Sequence, residues 1–277
     1  MKEKELDAVI EAALKEDMPR GDITSDSIIP SDSVSKAIII AKERGVLAGI
    51  EVARRVFRKI DAAVSFKKFF EDGQNFKKGD ILARLKGNSI SLLKGERTAL
   101  NFLQRMSGIA TTTTEFVKAL EGTRTKILDT RKTTPSLRFL EKYAVKMGGG
   151  LNHRPNLSEM VLIKDNHLKL IGSIQEAVGC AKERVKRGIK VEVEATSLED
   201  VKEAVQSGAD MVMLDNMPLE KMSEVVKWLK GKVPLEVSGK VNLKKVRQIA
   251  SLGIDFISVG SLTHSYKSVD LSIEFVD

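Results

Sequence analysis

The sequence predicts a two-domain α/β protein: an N-terminal α/β sandwich domain at residues 1–107 and a TIM-like α/β barrel, closed or slightly incomplete, at residues 108–277. Two observations predict this fold. Residues 1–107 mix helical stretches with short strands in no steady order, whereas after residue 108 a strand–loop–helix unit repeats about six times. The composition, 42% hydrophobic and 30% charged, is typical of a folded globular protein. We also expect the last residues to be able to pack back on the N-terminal domain.

The N-terminal domain is expected to begin with an amphipathic helix, because the apolar residues between Leu6 and Leu14 fall on one helical face. Turn signals then divide several short apolar runs, which is typical of a small β-sheet. The elements expected after the first helix are a buried strand at 36–41, a helix at 52–60, a small sheet at 65–86 and a helix at 92–106.

The barrel domain is expected to contain six short apolar strands separated by helices. Two serines mark helix starts: Ser173 begins a Ser-x-x-Glu capping box, and Ser197 is placed to cap a later helix. The six strands are expected at 126–129, 161–163, 190–194, 211–214, 233–237 and 255–259.

The formal net charge of +8 and the pI near 9.4 suggest nucleic-acid binding, but the basic residues are spread among acids along the chain. Only two tyrosines and one tryptophan are available to stack on bases. An anionic small substrate explains a local excess of positive charge equally well, so charge alone leaves both explanations open.

The expected location is the cytoplasm, with no membrane attachment. The single cysteine, Cys180, excludes an internal disulfide and fits a reducing compartment. The N-terminal stretch carries acids throughout and lacks the apolar core of a signal peptide. No apolar run reaches the roughly 20 residues that are needed to span a bilayer.

Polar groups stand at the end of every predicted barrel strand. In such barrels the loops after the strands meet at one mouth, where the chemistry takes place. Basic groups dominate after the earlier strands and carboxylates after later ones, so the mouth is expected to have a cationic and an anionic half. The groups concerned lie at 129–132, 153–154, 164–167, 194, 215–216, 238–240 and 258–260.

The side-chain types at this mouth indicate its ligands. Guanidinium groups, such as those of Arg131 and Arg154, bind carboxylates and phosphates through two parallel hydrogen bonds. Carboxylates, such as those of Glu194 and Asp215, suit sugar hydroxyls and Mg²⁺, which prefers oxygen ligands. The glycine-containing loops after the last two strands suit a phosphate group. We therefore expect a polyanionic acid, a phosphorylated sugar and Mg²⁺.

Other catalytic chemistries lack their motifs in this sequence. The three histidines, His153, His167 and His264, have no zinc-binding spacing, and there is no G-x-S-x-G elbow, P-loop or dinucleotide fingerprint. A barrel aldolase that uses Lys132 or Lys164 as a Schiff base is a different enzyme class that remains open at this point, and a nucleic-acid-binding module is the non-enzymatic alternative.

The chain resembles the quinolinate phosphoribosyltransferase family through an ordered set of motifs that covers almost its whole length. The most specific stretch begins with Asp-Thr-Arg-Lys-Thr-Thr-Pro at 129–135 and ends with Asn-His-Arg at 152–154, and Lys-Asp-Asn-His at 164–167 also matches. A paralogous phosphoribosyltransferase associated with molybdenum transport shares the fold but lacks these three in combination, so it is the second choice. The other matching segments are 16–24, 95–111, 141–145, 148–150, 192–194, 213–216 and 262–265.

The resemblance implies a reaction in de novo NAD synthesis: quinolinate and phosphoribosyl pyrophosphate give nicotinate mononucleotide, pyrophosphate and carbon dioxide, with Mg²⁺. It implies that Glu194 and Asp215 bind the metal and meet the ribose hydroxyls. The residues expected to hold the quinolinate carboxylates and neighbouring phosphate oxygens are Thr130, Arg131, Lys132, His153, Arg154 and Lys164. The residues expected to bind the 5′-phosphate are Ser238, Gly239, Lys240, Val259, Gly260 and Ser261. The expected catalytic set is Lys132, Lys164, Glu194 and Asp215.

The resemblance also implies a homodimer with shared active sites, in which Arg97 reaches the site of the other subunit, and it leaves a trimer of dimers open. The sequence departs from the family pattern in two places. Ser136 stands where a glycine often follows Thr-Thr-Pro, and Val237 and Lys240 stand where alanine and a second glycine often flank Ser238-Gly239. The second departure makes the phosphate-binding role less secure at Lys240 than at its two neighbours.

Overall fold

A computed structural model describes residues 3–277 of the chain, which form two compact units. The first unit contains the residues up to Thr114, together with Thr133–Gly149 and Leu262–Asp277. The second contains Glu115–Lys132 and Gly150–Ser261. None of the described helices is both long enough and apolar enough to cross a membrane.

The first unit combines helices with an antiparallel sheet. Its sheet has the strand order β12-β1-β5-β3, and a two-stranded ribbon pairs β2 with β4. Its elements are α1 (Glu3–Asp17), α2 (Ile23–Ile28), β1 (Val34–Ala41), β2 (Gly45–Val46), α3 (Ile50–Ile60), β3 (Ser65–Lys68), β4 (Asn75–Phe76), β5 (Ile81–Asn88), most of α4 (Ser89–Ala119), α5 (Arg138–Met147) and β12 (Leu271–Val276).

The second unit is a barrel-like parallel sheet whose six strands alternate with helices, which confirms the predicted fold class. Its strand order is β6-β11-β10-β9-β8-β7, and no hydrogen-bonded ladder joins the two edge strands within the described residues. Its elements are β6 (Lys126–Leu128), β7 (Val161–Ile163), α6 (Asp165–Ile171), α7 (Ile174–Arg184), β8 (Val191–Ala195), α8 (Leu198–Gln206), β9 (Met211–Asp215), α9 (Leu219–Leu229), β10 (Leu235–Ser238), α10 (Leu243–Ser251) and β11 (Phe256–Ser258), after which α11 (Ser261–His264) begins.

Side-chain periodicity explains why these segments fold as they do. Helix α1 buries Leu6 and Ile10 on its predicted apolar face. Alternate residues of β1, including Ile39, are buried, as expected when one face of a strand packs on a core. Both serines cap a helix. Ser173 accepts the Glu176 N–H at the start of α7, which is one half of the predicted capping box. Ser197 forms a complete reciprocal capping box with Asp200 at the start of α8.

Two elements extend beyond the sequence prediction. Helix α4 continues to Ala119, well past the predicted end at residue 106. Strand β12 was not predicted, although its residues alternate between apolar and polar; it pairs antiparallel with β1, where Ile273 lies opposite Ile39. The last residues of the chain therefore complete the sheet of the first unit.

Gly108 lies in α4 at a point where the C-terminal segment passes against the helix. A Cβ atom built at this position would lie 2.3 Å from the Lys267 carbonyl oxygen and 2.9 Å from Ser268 Cα. Both contacts involve backbone atoms, which cannot move aside as a flexible side chain can. The close approach therefore requires glycine, although glycine is otherwise a poor helix former.

We expect Gly108→Ala to lower the free energy of unfolding by about 1–3 kcal/mol, because it forces the backbone apart. Urea unfolding followed by circular dichroism measures this loss. Gly179→Ala in α7 is the matched control, since nothing lies within 4 Å of its Cβ position; it should be stabilising by about 0.5–1 kcal/mol. Equal stability of the two variants would show that the contact at Gly108 imposes no constraint.

Candidate active site

The carboxyl ends of the parallel strands surround a cavity of about 590 Å³ in the second unit. This cavity brings together most of the site residues predicted from the sequence. Those that line it are Thr130, Arg131, Lys132, His153, Arg154, Lys164, Glu194, Asp215, Ser238, Gly239 and Lys240. Five further residues line it: Leu162, Met213, Asn216, Glu236 and Ser258.

The alternation of side chains along each strand explains why these residues share the cavity. Successive side chains of a strand point to opposite faces, so residues two apart face the same way. Leu162 and Lys164 therefore both line the cavity, as do Met213 and Asp215, and Glu236 and Ser238. Each of these three strands contributes one polar group at its end and one residue two positions earlier, deeper in the cavity.

Arg131 and Arg154 form the cationic side of the cavity. Burial lowers the pKa of the Arg154 guanidinium, and the like charge of Arg131 lowers it further. Arg154 Nη1 donates a hydrogen bond to the Met160 carbonyl oxygen at 2.8 Å, which holds the guanidinium in place. An anionic ligand would offset the repulsion between the two arginines.

Glu194 and Asp215 supply carboxylate oxygens to the same cavity. Lys164 Nζ donates to Glu194 Oε2 at 2.9 Å, and Asn216 Nδ2 donates to Asp215 Oδ2 at 2.7 Å. Two such hard oxygen donors fit Mg²⁺, which usually takes its remaining ligands from substrate oxygens and water.

The loop after β10 has an unusual backbone that its sequence only partly favours. Gly239 has φ 99°, and a Cβ atom there would lie 2.3 Å from Asn216 Oδ1. Lys240 follows with φ 47°, a left-handed conformation that favours glycine. Ser136, the other departure from the family pattern, also has a positive φ, of 65°. Both substitutions for glycine thus fall where the backbone is left-handed.

Four of the predicted site residues do not line this cavity. Val259 donates its N–H to the Leu128 carbonyl oxygen at 2.9 Å, so this group is already used within the sheet. Gly260 and Ser261 lie just beyond it, where α11 begins. Arg97 is an exposed residue of α4 in the first unit. Their predicted contacts with a phosphate or with a partner subunit's site stay predictions.

A buried polar cluster lies beside the cavity. His153 Nε2 lies 3.0 Å from Glu192 Oε2 and 3.4 Å from Glu236 Oε2, and Ser258 Oγ hydrogen-bonds to Glu236 Oε1. Both glutamates have no exposed surface. Burial raises the pKa of Glu192 to about 7; burial and the neighbouring Glu192 raise the pKa of Glu236 to about 8.

Glu236 was not predicted from the sequence, Ser258 was predicted only as one of the polar groups at the mouth, and Glu192 was given no role of its own. A signal for them exists, because Glu192 and Glu236 are charged residues inside otherwise apolar strands. Each lies two residues before a predicted site residue, Glu194 and Ser238 respectively, and so shares its face of the sheet. The residue two positions before the polar residue at a strand end lies on the same face and deeper in the barrel. This rule would have pointed to Glu192 and Glu236.

Two family models match the chain. The model described as the quinolinate phosphoribosyl transferase N-terminal domain matches residues 22–107, and the corresponding C-terminal domain model matches residues 109–274.

Named relatives match over nearly the whole chain. A probable nicotinate-nucleotide pyrophosphorylase [carboxylating] of Bacillus subtilis is 42% identical and aligns with 94% of this chain and 89% of its own length. A quinolinate phosphoribosyltransferase [decarboxylating] of Nicotiana glauca is 39% identical, over 98% of this chain and 82% of its own. The solved nicotinate-nucleotide pyrophosphorylase of Francisella tularensis has a TM-score of 0.94 and 39% identity, covering 100% of this chain and 98% of its own.

The raised pKa of Glu236 predicts a pH-dependent contribution to stability. Glu192, His153, Ser258 and the charge of Lys164 surround this carboxyl group. Between the ordinary pKa of 4.5 and the folded value of about 8, the folded state retains a proton that the unfolded state releases. The stabilising contribution is thus complete below pH 4.5 and is lost as the pH rises through 8.

Relative to Glu236→Gln, which cannot ionise, the wild type should lose up to about 1.4 kcal/mol of unfolding free energy per pH unit across this range. Melting temperatures of both proteins at pH 5, 6.5 and 8 measure the difference. Glu199→Gln, at an exposed position of α8, is the control. A constant gap between wild type and Glu236→Gln at all three pH values would show that the carboxyl group does not hold a proton in this way.

Proposed function

The chain belongs to the quinolinate phosphoribosyltransferase family, and we propose that it transfers the phosphoribosyl group of phosphoribosyl pyrophosphate to quinolinate. The products are nicotinate mononucleotide, pyrophosphate and carbon dioxide. The observation that carries this proposal is one cavity that is lined both by the guanidinium groups of Arg131 and Arg154 and by the carboxylates of Glu194 and Asp215. The family matches favour this reaction over the molybdenum-associated paralogue and the Schiff-base aldolase.

Quinolinate has two adjacent carboxylates, and the cationic side offers matching groups. Arg131 and Arg154 bind these carboxylates, because a guanidinium group gives each one two parallel hydrogen bonds. Lys164 adds a third positive charge on the same side, while its ion pair with Glu194 keeps it next to the anionic side. The pyridine ring is thereby held with its nitrogen facing the sugar, and such orientation supplies several kcal/mol of the barrier reduction.

Glu194 and Asp215 face the ribose. As pyrophosphate leaves, positive charge grows on the sugar, and two carboxylates stabilise it electrostatically. The same carboxylates would hold Mg²⁺, which supplies charge neutralisation for the pyrophosphate group. Lys132 and Lys240 add positive charge at the rim of the cavity, and the Ser238–Gly239 backbone holds the 5′-phosphate.

Decarboxylation needs no further catalytic group. Once the ring nitrogen has bonded to the sugar, the ring is cationic and accepts the electron pair of the adjacent C–COO⁻ bond as carbon dioxide leaves. The ring carbon that is left with this electron pair then takes a proton from solvent water, which gives nicotinate mononucleotide. A general base or covalent nucleophile is therefore unnecessary. The protein has only to hold the carboxylate out of water while its bond breaks.

The experiment that tests this function incubates the protein with quinolinate, phosphoribosyl pyrophosphate and Mg²⁺ and detects nicotinate mononucleotide by chromatography. We expect product with quinolinate, little with nicotinate, and none after EDTA removes the metal. Arg131→Ala should weaken quinolinate binding by about 2–5 kcal/mol, because it leaves a carboxylate without its partner. Product from nicotinate at the quinolinate rate, or an Arg131→Ala variant with unchanged quinolinate affinity, would contradict the proposed site.

We further propose that the enzyme acts in the cytoplasm as a homodimer in which Arg97 completes the site of the partner subunit. The single Cys180 and the exposed position of Arg97 on α4 support these two points. Further association into a trimer of dimers is compatible with such an arrangement.

A shared site predicts complementation between two inactive variants. Arg97→Ala and Asp215→Ala chains, each inactive alone, should regain up to about a quarter of the wild-type activity when mixed, because half of the dimers are mixed and each mixed dimer has one intact site. Exchange is verified by native mass spectrometry of chains with different tags. No recovery in verified mixed dimers would place Arg97 outside the partner's site.

A further inference from the structure

His153 lies at the wall of the cavity, but neither of its ring nitrogens is directed to a ligand there. Its side chain is only 8% exposed. Nδ1 accepts the backbone N–H of Arg154 at 2.8 Å, and Nε2 lies 3.0 Å from Glu192 Oε2. The ring thus joins the Arg154 backbone on one edge to a buried carboxylate on the other.

The bond from the Arg154 N–H fixes the protonation of the ring. A nitrogen that accepts an N–H bond cannot itself carry a proton, so Nδ1 is unprotonated. The ring proton must then be on Nε2, where it is donated to Glu192. His153 is therefore a neutral imidazole with its proton on Nε2, and it brings no positive charge to the cavity.

The carboxyl groups around Nε2 hold this edge of the ring. Glu236 Oε2 lies 3.4 Å from the same nitrogen, and Ser258 donates a hydrogen bond to the other oxygen of Glu236. The residues packed around this edge of the ring, Glu192, Glu236 and Ser258, therefore come from strands β8, β10 and β11. These three residues are buried, with relative exposures of 0%, 0% and 4%. Buried hydrogen-bonded networks of this kind are stiff, because breaking any bond leaves an unsatisfied polar group.

His153, Glu192 and Glu236 also form a group whose donor atoms lie within 4.8 Å of one another, as in a metal site. Two carboxylate oxygens of this group, Glu192 Oε1 and Glu236 Oε2, have no hydrogen-bond partner among the described residues. However, a neutral histidine that binds a metal through Nε2 carries its proton on Nδ1. In His153 the lone pair of Nδ1 accepts the Arg154 N–H, so Nδ1 cannot carry that proton. The geometry therefore favours a proton on His153 Nε2 over a metal ion bound to that nitrogen.

The loop that carries Arg154 depends on this histidine. The His153 N–H is donated to Asp129 Oδ1 at 2.9 Å, the Arg154 N–H to the His153 ring at 2.8 Å, and Arg154 Nη1 to the Met160 carbonyl oxygen. Arg154 is thus fixed at its backbone by His153 and at its guanidinium by the loop that follows. A shift of the ring would move the guanidinium that faces the substrate.

We propose that His153 is a positioning residue, anchored by Glu192, Glu236 and Ser258, which orients Arg154 and does not itself contact quinolinate. The proposal rests on the proposed function for the identity of the substrate, but the state of the imidazole ring does not depend on it. It differs from the direct substrate contact that the family resemblance implies for His153, and two measurements separate these roles.

The first measurement is nitrogen-15 NMR of the histidine side chains in the wild-type protein. Only three histidines contribute signals, and the His153→Ala spectrum identifies the one that is lost. We expect His153 to show the neutral form with the proton on Nε2 at both pH 6 and pH 8. A charged ring at pH 6, or a proton on Nδ1, would overturn the proposal whether or not the variant folds.

The second measurement is a double-mutant cycle on the KM for quinolinate. His153→Ala should raise this KM by about tenfold in the wild type, because the guanidinium group is displaced, with little change in kcat. In the Arg154→Ala background the same change should have an effect of less than about twofold, since the group that it positions is gone. The KM for phosphoribosyl pyrophosphate should stay constant and serves as the internal control.

A direct contact with quinolinate would give a similar loss in both backgrounds, and that result would overturn the proposal. Stoichiometric zinc, iron or manganese, measured by elemental analysis of protein purified without chelator and lost in Glu236→Gln, would also overturn it in favour of a metal site. If the wild type does not convert quinolinate at all, the proposed function fails, while the NMR result still decides whether the ring is held as described.

Discussion

The burial of two carboxyl groups inside an apolar parallel sheet is the constraint on which the arrangement of the site depends. Glu192 and Glu236 have no exposed surface, and two charges so placed would cost several kcal/mol each if they were left unpaired. Proton retention, the His153 ring and the Ser258 hydroxyl relieve this cost. Each of these partners must therefore stay in position, which makes the floor of the cavity rigid.

The buried carboxyl groups also help to fix the side chains at the mouth of the cavity, because successive side chains of a strand alternate between its two faces. Glu192 shares its strand and its face with Glu194, and Glu236 shares its own with Ser238. A residue of the buried layer therefore lies directly below a residue proposed to meet substrate. The histidine provides a second route, because it connects the floor to the Arg154 loop through a backbone hydrogen bond.

The sequence was sufficient to predict the six barrel strands and most of the cavity, for a physical reason. Parallel strands covered on both faces are short apolar runs, and the first polar residue after each run stands at the mouth. Lys164 and Asp215 could be identified in this way. Glu236 could not, since a residue inside an apolar run is normally taken as part of the core. Strand β12 was missed because its pairing with β1 joins residues far apart in sequence.

Backbone conformation explains two further positions that sequence alone left uncertain. Ser136 and Lys240 depart from a glycine-containing pattern, and both have a positive φ in the structure. A non-glycine residue in that region costs of order 1 kcal/mol, so the fold tolerates both side chains at a modest cost. At Lys240 this conformational cost is offset by the positive charge that the side chain brings to the cavity, next to the Ser238–Gly239 loop.

The charge balance of the cavity gives a reason for selectivity toward a dicarboxylate. Burial and the charge of Arg131 both disfavour the charged form of Arg154, so these two guanidinium groups repel each other in a partly dry environment. Lys164 is balanced by Glu194, and a neutral His153 adds no charge. A ligand with two carboxylates neutralises both arginines, whereas a ligand with one leaves a guanidinium group desolvated and uncompensated. We therefore expect quinolinate to be preferred over nicotinate because of this charge imbalance, without steric exclusion of the smaller acid.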